Sequence, residues 1–205
     1  MNSLGGFSTD RLVCSGGSGE DGSFVVRAGQ RTTRPSVSIM DELTDPETLR
    51  EREDVEFNEM PPEEHQSHFE LYESIAGMAI AGVTDADGRL LLLEHEDAPY
   101  PTMPYGQVAP TEGWVATTRA TVTDSTGVAV TVDDVRRVRH NTYRSGGGEE
   151  TTGYDVVFAA SPDGNGDIPA ESGQGWIPTW RDTATLDLPG EEDNDVLNDI
   201  RLFVD

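Results

Sequence analysis

Residues 106–128 read GQVAPTEGWVATTRATVTDSTGV, and the spacing of their glycine, acidic and aliphatic residues decides the predicted fold. Gly106 is followed by five residues and then by Glu112. Fourteen further residues lead to Gly127 and the aliphatic Val128. The frame points to a fold more firmly than to an activity.

Within this frame, the segment over residues 113–126 is predicted to be helical. Trp114, Val115, Thr118 and Val122 recur at helical spacing and form an apolar stripe. The segment is otherwise poor in helix formers and rich in β-branched threonine and valine. Propensity alone therefore leaves helix and strand open, and the stripe favours the helix.

The frame resembles the Nudix box, G-x5-E-x7-R-E-U-x-E-E-x-G-U, where U is a bulky aliphatic residue. Five positions match, and Asp124 conservatively replaces the first glutamate of the E-E pair. The matching residues are Gly106, Glu112, Val122, Gly127 and Val128. Departures fall on the catalytic half, at Thr111, Ala120, Thr121 and Ser125, where the family has glycine, arginine and two glutamates.

The resemblance covers residues 75–204 and implies an α/β fold, the Nudix α/β/α sandwich. In it, a mixed β-sheet carries the box helix on one side and a terminal helix on the other. The implied organisation is a disordered extension over residues 1–39, an acidic helical preamble over 40–74 and a Nudix-like domain over 75–205.

The implied reaction is metal-dependent hydrolysis of a nucleoside diphosphate linked to another group, with Mg²⁺ or Mn²⁺ as cofactor. Positions 121, 124 and 125 share one helical face, where the family's carboxylates collect metal. Here that face reads Thr121, Asp124 and Ser125, with one formal negative charge. The sequence leaves open weak or altered hydrolysis, an inactive module that binds a nucleotide or a protein partner, and a structural domain without a ligand.

Four acidic residues are the candidate catalytic groups. By the resemblance, Glu112 supports the box loop and Asp124 is the remaining helix-face ligand, and both are candidate metal ligands. Glu149 and Glu150, in a glycine-rich loop, are candidates for an auxiliary ligand or general base. The alternative for this pair is a mobile, charged hairpin tip.

Candidate substrate-binding residues are Gly106, delivered by the preceding proline-rich loop, and two arginines of the only basic cluster in the chain. Alternation along a strand places Arg137 and Arg139 on one face, where their guanidinium groups could bind phosphate oxygens. Pairing with the abundant acidic residues is an equally weighted alternative.

Composition constrains partners and environment. The chain has 14 arginines, no lysine, 39 acidic residues, a net charge of −25 and a pI near 4.2. We expect a protein that works in concentrated salt, where screening relieves self-repulsion, and a halophilic archaeon as its source. Such a charge disfavours nucleic acid as a partner and would repel a polyphosphate unless a metal ion intervenes. A nucleotide-like small molecule as partner is implied by the family resemblance alone.

The single cysteine, Cys14, fits a reducing cytoplasm, and the absence of an apolar run of eighteen residues argues against a membrane span. A homodimer stays open. Residues 1–39 contain three acidic residues and four arginines, for a net charge of +1, which leaves −26 for the other 166 residues. We therefore expect Met40 to be the native start.

The flanking segments complete the prediction. Strands over residues 75–84 and 89–95 are predicted to form a hairpin, and further strands are predicted at 128–140 and 152–160. A closing strand with Trp176 and Trp180 is expected before a last helix over 191–204. His65 and His68, beside two glutamates, form a weaker metal-site candidate, for which a solvated helix face is the favoured interpretation.

Overall fold

The computed structural model describes residues 43–169, 175–190 and 194–204. The proposed extension and the native start at Met40 lie outside these ranges. In chain order the elements are a 3-10 turn (Pro46–Leu49), β1 (Glu56–Glu59), β2 (Glu63–Glu64), α1 (Gln66–Tyr72), β3 (Gly77–Val83), β4 (Arg89–Glu94), β5 (Tyr105–Val108), α2 (Trp114–Thr126), β6 (Val130–Arg144), β7 (Glu150–Pro162), β8 (Ile177–Asp182), α3 (Asp195–Ile200) and a final 3-10 turn (Arg201–Phe203).

The main sheet is mixed and has the strand order β1-β6-β7-β3-β5, with β2 also pairing with β6. Its centre is the long antiparallel hairpin of β6 and β7, which runs from the pair Val130↔Pro162 to the pair Arg144↔Glu150. β3 then pairs parallel to β7 and antiparallel to β5. The predicted mixed sheet and the predicted strands on either side of the glycine-rich loop are confirmed.

The predicted hairpin of β3 and β4 is wrong in its pairing. The turn is present, since the Gly88 N–H donates to the Asp85 carbonyl at 3.1 Å. However, the strands share only the bridge Thr84↔Leu90, and β4 pairs with β8 in a separate two-stranded sheet. The reason is that β4 is buried on both faces: Leu91 belongs to one hydrophobic cluster, whereas Leu90 and Leu92 belong to another.

Helix α2 forms where the apolar stripe predicts it. Its buried face includes Trp114, which is 1% exposed, and Val122. The buried hydroxyl of Thr118 donates to the carbonyl of Trp114 at 2.8 Å, so a polar residue is tolerated on this face. The helix ends at Gly127, whose φ of 73° is left-handed and suits glycine.

The two faces of the main sheet are covered by different helices. Directly paired residues of antiparallel strands point to the same face, so the Ala79↔Gly106 pair and the Ile80↔Tyr105 pair point in opposite directions. Helix α2 packs with Ala79, and Ile200 of α3 packs on the face of Ile80. The predicted α/β/α sandwich, with the box helix and the terminal helix on opposite sides, is confirmed.

The segment before β3 is partly helical and packs against the domain. Asp45 caps the first 3-10 turn, with Pro46 at its first position. Phe69 and Tyr72 of α1 pack against Tyr143. The sequence analysis did not predict β1 and β2, which pair parallel to β6 at the sheet edge.

The end of the described chain also follows the prediction, with shorter elements. Trp180 lies in the closing strand β8, and α3 covers Asp195–Ile200 rather than the whole of the expected range. No helix among the described residues is long and apolar enough to cross a membrane.

Candidate functional site

The box loop and helix adopt the predicted form, and Glu112 supports the loop. The Glu112 carboxylate accepts the N–H of Ala109 at 3.2 Å, and its own N–H donates to the Ala109 carbonyl at 3.0 Å. This turn leads into Gly113, which is the N-cap residue of α2. Glu112 therefore has a structural partner at the start of the helix.

Gly106 allows α2 to approach β5 closely. A Cβ atom built at Gly106 would lie 2.1 Å from Oγ1 of Thr121, a distance that side chains do not tolerate. The glycine faces the helix, and its role here is close packing of helix and strand. The candidate role of Gly106 in substrate binding stays a prediction.

The α2 face that would collect metal offers few ligands of its own to a Mg²⁺ or Mn²⁺ ion. The Thr121 side chain packs against Gly106, and the Ser125 hydroxyl donates to the Thr121 carbonyl at 2.7 Å. Asp124 is exposed and is the one carboxylate of the three positions. A divalent ion in a protein needs several oxygen ligands, and this face offers a single carboxylate.

The structure does not bring the other candidate acids to Asp124. Glu112 precedes the 13-residue helix α2 and Asp124 lies in its last turn, so about 15 Å of helix separates them. Glu149 and Glu150 lie at the far end of the 15-residue strand β6, on the order of 40 Å from the strand's start beside the α2 terminus. Both are exposed, and Glu150 accepts from Nε of Arg144 at 2.6 Å.

Across the described parts of the chain, no three His, Cys, Asp or Glu side chains are placed to hold a metal ion. His65 is instead the capping residue of α1, since its Nδ1 accepts the N–H of His68 at 3.2 Å. The two rings stack at 3.8 Å between centroids. The metal interpretation of this pair therefore has no support.

Arg137 and Arg139 do share one face, and both bind a carboxylate of α3. Arg139 donates to the two oxygens of Asp199 at 2.5 and 2.8 Å. Arg137 donates to Asp199 at 2.9 Å and to Glu56 at 2.9 Å. This pairing is the alternative that the sequence left open, except that Asp199 is buried rather than exposed.

A cavity of about 390 Å³ lies on the α3 side of the main sheet, opposite α2. Its walls are apolar and aromatic, and its polar floor comprises Arg139, Asp155 and Asp199, with Asp195 also lining it. The principal wall residues are Met78, Ile80, Tyr100, Met103, Tyr105 and Trp176. Tyr105 is 52% exposed, although it is large and partly apolar.

Asp155, on the cavity floor, accepts a hydrogen bond at each of its carboxylate oxygens. Its Oδ1 accepts the hydroxyl of Tyr72, and its Oδ2 accepts the side-chain amide of Asn141 at 2.9 Å. Burial raises the pKa of Asp155 above its ordinary value, against the lowering effects of these hydrogen bonds and of Arg139. Burial therefore makes the ionised form of the Asp155 carboxyl less favourable than it is in water.

Sequence reasoning missed Asp155 and Asp199. A signal was present for Asp155, because it is the one acid in the otherwise apolar run Tyr154–Ala160 of a predicted strand. Asp199 gave a weaker signal, as one of several acids in the last segment. Its importance comes from arginines 60 and 62 residues earlier in the chain.

Asp155→Asn is expected to change the pH dependence of the free energy of unfolding. Because the folded-state pKa is raised, the contribution of Asp155 is favourable below its unfolded pKa and is lost as pH rises through the folded pKa. The neutral amide does not titrate, so the stability of the variant relative to the wild type should increase from acidic to neutral pH. Denaturant unfolding in molar KCl at two pH values checks this; a stability difference that is the same at both pH values contradicts it.

Comparisons with known proteins give structural matches alone. No protein-family model matches the chain, and no curated protein matches it. A NUDIX hydrolase from Nitrosomonas europaea is 16% identical, with a TM-score of 0.43 over 63% of this chain and 88% of the other. The chain resembles Nudix hydrolases of known structure.

Two further structural matches have comparable values. An ADP-ribose pyrophosphatase from Streptococcus suis is 13% identical, with a TM-score of 0.42 over 62% of this chain and 87% of the other. The E. coli dihydroneopterin triphosphate pyrophosphohydrolase is 15% identical, with a TM-score of 0.41 over 54% of this chain and 82% of the other. At these identities the likeness concerns the fold.

Proposed function

We propose that the protein is a Nudix-like module that binds a nucleotide-like small molecule in the cavity opposite α2 and does not hydrolyse it efficiently. The box frame and the sandwich are retained, which supports a relationship to Nudix proteins. The chemistry of the box helix supports the loss of turnover.

The observation that carries the proposal is the state of the α2 face. Of the three positions where the resemblance implies metal-binding acids, Thr121 packs against Gly106, Ser125 bonds to the helix backbone, and Asp124 alone carries charge. Without several acidic ligands the face has little means of holding a divalent ion near a phosphate. The candidate acids outside the helix are too distant to replace them.

The cavity supports the binding part of the proposal. Its volume of about 390 Å³ lies within the usual range of small-molecule sites. Aromatic walls such as Tyr105 and Trp176 offer surfaces for a planar ring. The floor supplies a few buried polar groups, which is the usual composition of a selective pocket.

Weak hydrolysis is the second candidate function, and the exposed carboxylate of Asp124 is the observation that favours it. Asp124 could take part in holding a metal ion if substrate phosphate oxygens supplied the other ligands. On this account Asp124 acts without Glu149 and Glu150, because the fold places that pair at the other end of β6.

Filling the cavity is expected to weaken binding. Met78 lines it, so Met78→Trp should weaken the binding of nucleoside diphosphate derivatives at least tenfold by occupying the ligand's volume. Isothermal titration in molar KCl, after a screen of such derivatives, measures the effect.

Met60→Trp is the matched control, because Met60 lines two neighbouring depressions but not this cavity. The control should bind as the wild type does. Unchanged affinity in Met78→Trp, or no binding of any derivative to the wild type, would contradict the proposal.

A further inference from the structure

We infer that Asp155, together with Arg139, selects the ring of the bound ligand and favours a base with guanine's pattern of hydrogen-bonding groups. The ring would enter the cavity, and the phosphates would remain outside it. This inference rests on the proposed binding function, because it assigns one part of a nucleotide to the cavity floor.

Asp155 on the cavity floor can accept further hydrogen bonds. Each oxygen of a carboxylate has two lone pairs, and in Asp155 each oxygen accepts one hydrogen bond, from Tyr72 or from Asn141. Its side chain is 15% exposed and lines the cavity. Two acceptor sites on one carboxylate are therefore left for a ligand.

The floor also has one unsatisfied donor. The Nη atoms of Arg139 are both bound to Asp199, but its buried Nε has no hydrogen-bond partner and lies 3.7 Å from Oδ2 of Asp155. Arg139 is 4% exposed. A buried donor without a partner is costly. Because Nε is closed to solvent, Arg139 attracts a ligand acceptor beside Asp155 through its charge rather than through a direct hydrogen bond.

The charges of the floor exclude phosphate. Among the described residues that line the cavity, Arg139 is the one cation, and its charge is opposed by Asp199 at 2.5 Å. Asp155 and Asp195 add two further carboxyl groups. A phosphate group would meet more negative than positive charge there, whereas a neutral ring would meet apolar walls and hydrogen-bonding groups.

Guanine's Watson–Crick edge complements this arrangement. That edge presents, in order, a carbonyl oxygen, a ring N–H and an exocyclic amine, which are an acceptor and two neighbouring donors. The two donors suit the oxygens of one carboxylate, and the positive charge of Arg139 attracts the carbonyl oxygen. Uracil presents an acceptor on each side of its single N–H, and adenine presents a ring acceptor, so each would place an acceptor against the carboxylate.

The test compares guanosine, inosine, adenosine and uridine 5′-diphosphates by isothermal titration in molar KCl with EDTA. Inosine lacks only the exocyclic amine, so the comparison removes one donor without changing the protein. We expect guanosine diphosphate to bind at least tenfold more tightly than inosine diphosphate, the order expected for a charge-assisted hydrogen bond. Adenosine and uridine diphosphates should bind no better than inosine diphosphate.

Asp155→Asn should reduce guanosine diphosphate binding to the level of inosine diphosphate. Asp187→Asn, at an exposed acid that does not line the cavity, should keep the preference. Equal affinities for all four nucleotides, or a guanosine preference that survives Asp155→Asn, would overturn the inference and leave the proposed function in place. Absence of binding by all four, with other derivatives bound, would also overturn the inference alone. Absence of binding by every derivative would contradict both.

Discussion

Asp199→Ala should destabilise the protein by about 3–5 kcal/mol, the usual cost of removing one partner of a buried ion pair. The variant leaves Arg139 buried without the carboxylate that accepts both its Nη groups, and it also removes a partner of Arg137. Burial opposes the charge of Arg139, yet hydrogen bonding and attraction to Asp199 raise its pKa. The guanidinium would therefore stay charged and unpaired. Denaturant unfolding in molar KCl measures the loss.

Asp195→Ala is the control for this prediction. Asp195 lies in the same helix but is exposed, so its removal should cost less than about 1 kcal/mol, the order of a helix-terminus charge effect. If Asp199→Ala were as stable as this control, Arg139 would not depend on Asp199, and the described floor of the cavity would be incorrect.

The elements that the sequence predicted well are those with a local cause. Helix α2 follows from an apolar stripe and from Gly127, which ends it in the left-handed conformation. Strands β6 and β7 follow from alternation around a glycine-rich loop. Each of these signals lies within one continuous segment, so no knowledge of distant contacts is needed.

Long-range pairing explains what the sequence did not predict. Strand β1 has the residues EFNE, which carry no clear apolar alternation, and it exists because β6 pairs with it some 80 residues later. Strand β4 looks like one arm of a hairpin, but burial on both faces directs it to β8. Neither outcome can be derived from local pattern.

The candidate site also includes features that local sequence predicts and features that depend on distant contacts. The positions of Glu112 and Asp124 on the box were predictable, whereas their separation along α2 follows only once the helix is taken at full length. Glu149 and Glu150 were chosen for their place in the sequence, and the length of β6 removes them from the box. The roles of Asp155 and Asp199 on the cavity floor can be recognised only in the folded structure, where α1, β6, β7 and α3 come together.

Adding Mg²⁺ or Mn²⁺ is expected to leave a bound nucleoside diphosphate derivative intact. The α2 face provides one carboxylate, and water activation by a divalent ion requires an ion held beside the phosphates. Efficient members of a hydrolase class gain many orders of magnitude over the uncatalysed rate, so turnover, if retained, would be readily detected. Asp124→Ala should be indistinguishable from the wild type in this respect.

The most direct measurement of the central claim follows one sample through two steps. A derivative that binds the wild type in EDTA is incubated with excess Mg²⁺ or Mn²⁺ in molar KCl, and phosphorus NMR records ligand and products. The account predicts saturable binding in EDTA and no product above the protein-free control after metal is added. Metal-dependent product release by the wild type that disappears in Asp124→Ala would contradict it and would establish hydrolysis.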